Sequence, residues 1–373
     1  MTDVAVTAVP DVGRSLWADA WARLKANRAA LWSAYYLIFM GLLCVFGPRF
    51  TPHEFTTIYQ DYNRVAPSLS AYPKSEMLDL AVNDAVRRAR VQLAGWEEKE
   101  NRIFITVTSA KPIDERMTRY IDRSSVFENT KVENITSDKL KMTMSADVEH
   151  QYFFFGTDNS GRDLLTRTLI AGRVSLAIGL LAGIVAVAIG VLYGAAAGFI
   201  GGKTDEIMMR IVDILYSLPF IFFVIMLVVF FGRNFVLMFL AVGAVLWLDM
   251  ARIVRGQALS IKRQEYVQAA EALGVTRWGI LIRHVVPNLL GPVVIYMTLL
   301  VPQVIILESF LSFLGLGVQE PNSSWGVLIS QGSNNMPGAN WLLFYPSLFL
   351  TTTLFALNFI GDGLRDALDP KDR

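Results

Sequence analysis

The sequence predicts a helical membrane protein with one small soluble insertion. Its 373 residues are 53% hydrophobic and only 18% charged, and several apolar runs approach the ~20 residues that cross a bilayer as a helix. Residues 49–155 are instead charged and mixed in pattern. We therefore expect an all-α integral membrane protein with about six transmembrane helices and a small α+β extracytoplasmic insertion between helices 1 and 2.

Apolar runs define the predicted transmembrane helices. They cover residues 29–48, 174–199, 207–231, 235–254, 288–314 and 343–361. No small-residue cleavage site follows the first run, so we interpret it as an uncleaved anchor rather than a signal peptide. The predicted domains are an N-terminal segment (1–28), the first helix (29–48), the insertion (49–155), a core with five transmembrane helices (156–361) and a C-terminal tail (362–373).

Basic residues in short loops predict the orientation. Lysine and arginine are frequent before the first run and around residues 255–287, whereas the 315–342 loop contains neither. Short cytoplasmic loops carry an excess of these residues, so both termini and the 255–287 loop should be cytoplasmic. Arg162, Arg167 and Arg173 would then lie outside, which opposes this orientation. Asp158 and Asp163 offset part of their charge.

The insertion has mixed secondary-structure signals. Residues 75–93 are patterned as an amphipathic helix, while residues 101–110 and 139–148 alternate like half-buried strands. We interpret His53 and His150 as packing or surface residues, because no second histidine or cysteine stands at ligand spacing. No metal site is predicted.

A polar helical hairpin at 265–288 separates two apolar runs. Its first helix places four residues at helical spacing on one face: Tyr266, Ala269, Ala270 and Leu273. Gly274 should end that helix in the left-handed conformation, with Val275 covering the last turn. Such a short helix is marginal alone in water, so it needs a surface to pack on.

The second half of the hairpin should be another short helix. Thr276 can cap it, and it carries Trp278 before Pro287 and the next apolar run. On pattern alone, the hairpin face packs equally well on another subunit or on the cytoplasmic ends of this chain's own helices.

Charged residues inside the apolar runs are few. Arg210 and Asp213 are spaced to pair with each other. Glu308 lies within the fifth run, where an unpaired carboxylate costs up to ~3 kcal/mol. It is either a pathway or gate residue or a buried, hydrogen-bonded structural carboxylate. In the second run, small residues recur at every fourth position, and we expect this ridge to pack within the chain rather than against another subunit.

Motifs that would indicate catalysis or ligand binding are incomplete. Gly202, Lys203 and Thr204 match the end of a phosphate-binding loop, but Ala197 stands where that loop needs its first glycine. In DNSGRD at 158–163, Arg162 occupies a position that a calcium loop gives to a ligand. No catalytic residues are predicted, and we expect this chain not to be an enzyme.

Six segments together resemble the C-type membrane subunit of bacterial dipeptide and oligopeptide ABC importers. Along residues 155–370 these segments occur in the same order as in the family. The N-terminal span is also part of the resemblance. The segments are FGTDNSGRDLLTRTLIAGRVSL (155–176), EYVQAAEALG (265–274), RHVVPN (283–288), LSFLGLG (311–317), SSWG (323–326) and GDGLRDALDP (361–370).

The resemblance implies that the hairpin couples this permease to ATP hydrolysis elsewhere. It would dock on cytoplasmic ABC ATPase subunits, which bind ATP and Mg; this chain would bind no cofactor itself. Further partners would be a B-type second permease, an extracytoplasmic substrate-binding protein and the lipid of the bacterial inner membrane, and no nucleic acid. The implied coupling residues are Glu265, Tyr266, Ala269, Ala270, Leu273, Gly274, Trp278 and Pro287.

The sequence departs from the family at two places. Gln268 stands where the wider docking motif has a glutamate, which puts a charge contact there in doubt. The first outer loop is also longer than in many members, so the role of residues 49–155 does not carry over.

Two other classes stay open. A self-sufficient secondary transporter of small solutes would need internal repeats and midplane carboxylates, and a membrane enzyme would need a convergent catalytic set. Peptides are the family's commonest cargo, although related permeases carry nickel, glutathione or sugars.

Overall fold

A computed structural model describes residues 16–99, 101–232 and 235–368. Residues 1–15 of the predicted N-terminal segment and 369–373 of the predicted tail lie outside this description. The described chain forms two compact units. Among the described residues, unit 1 draws on 16–42, 173–319 and 349–368, and unit 2 on 43–172 and 320–348. The predicted insertion at 49–155 lies wholly within unit 2.

Helices dominate the described chain. In order they are α1 (Leu16–Ala26), α2 (Arg28–Phe46), α3 (Ser75–Arg88), α4 (Thr118–Ile121), α5 (Leu164–Ile200), α6 (Gly202–Tyr216), α7 (Phe220–Phe231), α8 (Phe235–Lys262), α9 (Glu265–Ala272), α10 (Arg277–Ile280), α11 (Val286–Phe313), α12 (Trp325–Asn334) and α13 (Trp341–Leu368). The strands are β1 (Gln92–Lys99), β2 (Arg102–Thr108), β3 (Phe127–Ile135) and β4 (Lys141–Val148).

Four of the described helical segments are long and apolar enough to cross a membrane: Arg28–Arg49, Leu164–Ile200, Arg277–Phe313 and Trp341–Leu368. The predicted helical membrane fold is confirmed. The predicted span at 235–254 lies within the 28-residue helix α8. Helix α5 begins at Leu164, ten residues before the predicted 174. The predicted span was too short because it excluded the charged residue Arg167. In the structure the Arg167 guanidinium pairs with Asp158, so its charge is compensated.

The prediction of one continuous helix over 207–231 is wrong. Helix α6 ends at Tyr216 and α7 begins at Phe220. Pro219 has no N–H to continue the helical ladder, and it disfavours helical backbone in the residue before it. Ser217 Oγ donates to the Ile214 carbonyl at 2.6 Å, which satisfies one carbonyl at the end of α6. The apolar run therefore contains two helices.

The small-residue ridge of α5 packs against α8. A Cβ on Gly198 would lie 2.6 Å from the backbone oxygen of Arg255, and one on Gly190 would lie 2.6 Å from the Met250 Cβ. Gly194 faces the backbone of Ala251 in the same way. Small residues let helices approach this closely in lipid. The prediction that the ridge packs within the chain is confirmed.

We expect Gly198→Ala to destabilise the protein by ~2 kcal/mol, because overpacking a tight contact costs 1–3 kcal/mol. Gly256→Ala is the matched control, since Gly256 is also helical and a Cβ added there would meet nothing within 4 Å. Thermal unfolding of the two purified variants in detergent gives the comparison. Equal stability of the two variants would show that the α5–α8 contact is not close.

Unit 2 contains a four-stranded antiparallel sheet. Its strand order is β1-β2-β4-β3, and α3 packs on one face through Leu78, Val82 and Val86, which share a core with Ile103 and Ile105 of β2. Strand β2 alternates buried and partly exposed residues, as residues 101–110 predict. The small α+β insertion is confirmed.

One local prediction in the insertion is wrong, and strand β3 was not predicted. The helix predicted over 75–93 ends at Arg88, because Arg90 takes a φ of +60° and the chain enters β1 at Gln92. Strand β3 has no clear alternation in sequence, because bulges interrupt its register with β4. His53 is a packing residue: its Nδ1 lies 2.9 Å from the Tyr59 hydroxyl and its ring stacks on Phe153.

Candidate functional site

The 265–287 hairpin belongs to unit 1 and turns at Gly274. Gly274 has a φ of +79°, which favours glycine because it lacks a Cβ. Its N–H donates to the Glu271 carbonyl at 3.0 Å, and the Val275 N–H donates to the Ala270 carbonyl at 3.1 Å. These two bonds form a Schellman motif that satisfies the last carbonyls of α9. The predicted helix stop at Gly274 is confirmed.

The second half of the hairpin begins with a capped helix. The Thr276 hydroxyl accepts from the Gly279 N–H at 3.2 Å, as predicted. The short helix predicted before Pro287 is α10, but the helical backbone continues beyond it. Helix α10 passes through a π-helical turn, Leu281–Val285, into α11, and the Val286 N–H bonds to the Leu281 carbonyl. Proline is tolerated in the first turn of a helix, and Pro287 occupies that place in α11.

One face of the hairpin is anchored in its own unit. Val267 and Ala270 are 1% and 8% exposed. They share a hydrophobic core with Ile280 and Val285 from the second half and with Ala258 of α8. The predicted apolar face is therefore divided, because Ala270 packs inward. The sequence pattern left open whether the hairpin packs on another subunit or on this chain's own helices. The face with Val267 and Ala270 packs on the chain's own helices.

The opposite face presents large apolar side chains to the surroundings. Leu273 is 84% exposed and Trp278 is 64% exposed. Glu265, Ala269, Gly274 and Pro287 are also exposed. Tyr266 is partly exposed, and the burial of its ring raises the pKa of the phenol, which stays neutral at physiological pH. Exposed apolar groups of this size, gathered on one short hairpin, are typical of a protein contact.

Ion pairs hold α8, from which the hairpin extends. Arg255 donates to both carboxylate oxygens of Asp205 on α6, at 2.6 and 2.7 Å. Arg252 donates to Asp213 at 2.8 Å, so the expected pairing of Asp213 with Arg210 is wrong. The sequence spacing favoured the neighbour on the same helix, but α8 brings a closer partner. A bidentate arginine pair restricts both distance and orientation.

Glu308 is fully buried in unit 1. It accepts a hydrogen bond from Ser312 on α11 at 2.6 Å and a longer one from Ser175 on α5 at 3.4 Å. These contacts fit the structural alternative, since a buried carboxylate needs hydrogen-bond donors. The pathway or gate role of Glu308 stays a prediction.

A charge cluster in unit 2 was missed as a site. Asp158, Arg162 and Arg167 lie close to Glu320 and Gln331. The hydrogen bonds from Arg162 lower the pKa of the Glu320 carboxyl below its usual value. In the sequence these arginines bear on the orientation and have Asp158 nearby, but Glu320 is too distant along the chain for spacing to pair it with them. One sequence signal for this cluster was available: Glu320 is the only acidic residue in the 315–342 loop, which contains no lysine or arginine.

The chain matches two family descriptions. Residues 170–373 match "Binding-protein-dependent transport system inner membrane component", and residues 15–70 match "N-terminal TM domain of oligopeptide transport permease C". The first match covers more than half of the chain. Residues 71–169 lie between the two matched ranges and contain the four strands of the described residues.

Two permease proteins are similar to this chain in sequence, and one solved structure aligns with part of it. The oligopeptide transport system permease protein OppC of Escherichia coli (strain K12) is 60% identical over 237 residues, 64% of this chain and 78% of that protein. The dipeptide transport system permease protein DppC of Bacillus subtilis (strain 168) is 47% identical over 221 residues, 59% of this chain and 69% of that protein. An inward-facing MetNI methionine ABC transporter aligns at 20% identity over 53% of this chain and 94% of that chain, with a TM-score of 0.45.

The helical fold and the sequence matches together identify a multi-pass permease subunit of an ABC importer in the inner membrane. The chain belongs to the family of inner membrane components of binding-protein-dependent transport systems, and it is similar to the OppC and DppC permeases within it.

We expect Gly274→Ala to loosen the hairpin by ~1 kcal/mol, because a left-handed backbone conformation costs an L-residue roughly 1–2 kcal/mol. Amide hydrogen exchange of Gly274 and Val275, whose bonds close the Schellman motif, should become severalfold faster. Gly291→Ala is the control, because that helical glycine has open space around it. Unchanged exchange at residue 275 would contradict the role assigned to the turn.

Proposed function

We propose that the exposed face of the 265–287 hairpin docks on a cytoplasmic ABC ATPase subunit and couples ATP hydrolysis to peptide import. The observation that carries this proposal is the division of the hairpin into two faces. Val267 and Ala270 anchor it inside unit 1, while Leu273 and Trp278 are exposed. An apolar face left uncovered on a short hairpin needs a partner surface.

The proposed contact set follows the exposure of each residue. Leu273 and Trp278 fill pockets in the partner, Tyr266 and Ala269 lie beside them, and Gly274 fixes the angle between the two halves. Glu265 and Pro287 mark the two ends of the docking segment. Ala270, which the sequence also predicted as a contact, supports the docking face from within.

ATP and Mg bind to the ATPase subunits in this proposal, and this chain neither binds them nor hydrolyses ATP. Closure of two ATPases around ATP moves the hairpins and favours one facing of the pore. The docking free energy must differ between the two facings, because a contact of equal strength in both shifts no population. The rigid anchoring of Val267 and Ala270 lets the motion reach α8.

We propose di- and oligopeptides as the cargo, since the similar permeases are named for oligopeptide and dipeptide transport. A B-type permease completes the pore, and an extracytoplasmic binding protein delivers the peptide. Both termini lie in the cytoplasm, which the basic residues before the first span and around the hairpin support.

Leu273→Asp should reduce ATP-dependent peptide uptake by the reconstituted complex about tenfold or more, since losing a buried contact at an interface centre costs ~2 kcal/mol. Basal ATP hydrolysis by the partner subunits should persist, while its stimulation by binding protein and peptide is lost. Ala270→Glu is a poor probe, because Ala270 is buried and the variant would disturb folding.

Leu69→Asp is the matched control for Leu273→Asp, because Leu69 is as exposed as Leu273 and lies outside both the hairpin and the sheet. It should keep normal uptake and normal stimulation. If Leu273→Asp also transports normally at equal membrane abundance, the docking assignment is wrong.

We further propose that the sheet of the insertion helps receive the binding protein. Tyr72 and Gln151 pair through two backbone hydrogen bonds of 2.8 and 2.9 Å, so the ends of segment 74–149 are adjacent. Replacing that segment with a short glycine-serine linker should preserve the rest of unit 2. We expect uptake to need a several-fold higher binding-protein concentration for half-maximal rate. An unchanged concentration dependence would assign the sheet to a structural role.

A further inference from the structure

Unit 2 contains a cavity of about 160 Å³ that is lined mainly by charged and polar side chains. A bound water needs at least ~10–15 Å³ of such space, so the cavity has room for roughly ten waters. That space fits a carboxylate group together with a small amino-acid residue. The residues that matter for its chemistry are Asp158, Arg162, Arg167, Glu320 and Gln331.

Asp158 fixes the two arginines of this cavity. One carboxylate oxygen accepts from the Ser160 and Arg162 backbone N–H groups, at 2.8 and 2.9 Å. The other accepts from the Arg162 Nε at 2.9 Å and from the Arg167 Nη1. The side chains of Arg162 and Arg167 are 10% and 2% exposed. Both guanidinium groups are therefore buried and held in one orientation.

Glu320 also accepts hydrogen bonds from Arg162, but unlike Asp158 it is exposed to water. Its carboxylate accepts from Arg162 Nη2 at 2.8 Å and from Nη1 at 3.2 Å, which is the two-pronged geometry of arginine–carboxylate recognition. Gln331 adds a donor at 3.2 Å. Yet the Glu320 side chain is 51% exposed and lies in the loop between α11 and α12. Water can hydrate this carboxylate if it leaves, so its release is less costly than that of a buried partner.

The donors exceed the acceptors in the cluster. Arg167 Nη2 is buried without a hydrogen-bond acceptor among the described residues, and it lies 3.6 Å from a Glu320 oxygen. A buried donor left in this condition costs free energy that a better placed acceptor would recover. Without Glu320, two arginines face one aspartate, and the cluster carries one net positive charge. One monocarboxylate therefore replaces Glu320 charge for charge.

We propose that Arg162 and Arg167 form a carboxylate-binding subsite in which Glu320 is a displaceable internal occupant. The ligand class is a small monocarboxylate, and its identification as the C-terminal carboxylate of a short peptide rests on the function proposed above. The incoming carboxylate takes the two Arg162 donors and gives Arg167 Nη2 an acceptor. Glu320 then turns into water.

The test compares N-acetyl-Ala-Ala with its C-terminal amide, because the two probes differ in the carboxylate. Binding to the purified full-length chain in lipid nanodiscs is measured by calorimetry, without ATPase or transport. Glu320→Gln should tighten binding of the acid about tenfold, because the variant lacks the competing charged hydrogen bonds, worth ~1.5–3 kcal/mol. The amide should bind neither protein.

Two further variants make the outcome decisive. Arg162→Lys keeps the charge but loses the fork, and it should abolish the gain that Glu320→Gln provides. Glu98→Gln removes an exposed carboxylate elsewhere in unit 2 and should change nothing. Equal affinity of wild type and Glu320→Gln, or equal binding of acid and amide, would show a purely structural ion pair. This experiment measures binding and not uptake. Its result therefore does not depend on whether the proposed transport function is correct.

Discussion

The attachment of a short hairpin to the end of a long helix is the constraint on which this structure depends. Helix α9 has eight residues, too few to be stable alone in water. Val267 and Ala270 bury one side of it in the core of unit 1. The Schellman bonds at Gly274 and the cap at Thr276 then fix the direction of the second half. A rigid element can transmit force, whereas a loop of the same length would absorb it.

Unit 1 extends this rigidity into the predicted membrane region. Two residues separate α8 from the hairpin, and the second half of the hairpin continues through a π-helical turn into α11. Arg255 ties α8 to Asp205 on α6, and the glycines of α5 allow close contact with the α8 backbone. A displacement of the hairpin must therefore move two long helices together. Packed helices change position in discrete steps rather than by continuous bending, which suits a permease that alternates between two facings.

Local chemistry could be predicted from the sequence, and long-range pairing could not. Gly274, Thr276 and the alternating strands β2 and β4 carry signals within a few residues, and the structure confirms them. The break before Phe220 had a local signal in Pro219, but the continuous apolar run concealed it. Helical periodicity placed Ala269 and Ala270 on one face without showing which side the rest of the chain covers. The partners of Asp213 and Arg162 come from distant segments, Arg252 and Glu320, which spacing rules cannot supply.

Thiol labelling of the hairpin in the assembled importer shows whether an ATPase subunit covers its exposed face. A cysteine at position 273 would be exposed in the isolated chain, where the natural Cys44 is buried. We expect rapid reaction with a bulky maleimide in the isolated permease and strong protection once the ATPase subunits are bound. A cysteine at position 80 should react equally in both. Equal labelling at position 273 with and without the ATPase subunits would show that the hairpin does not dock on them.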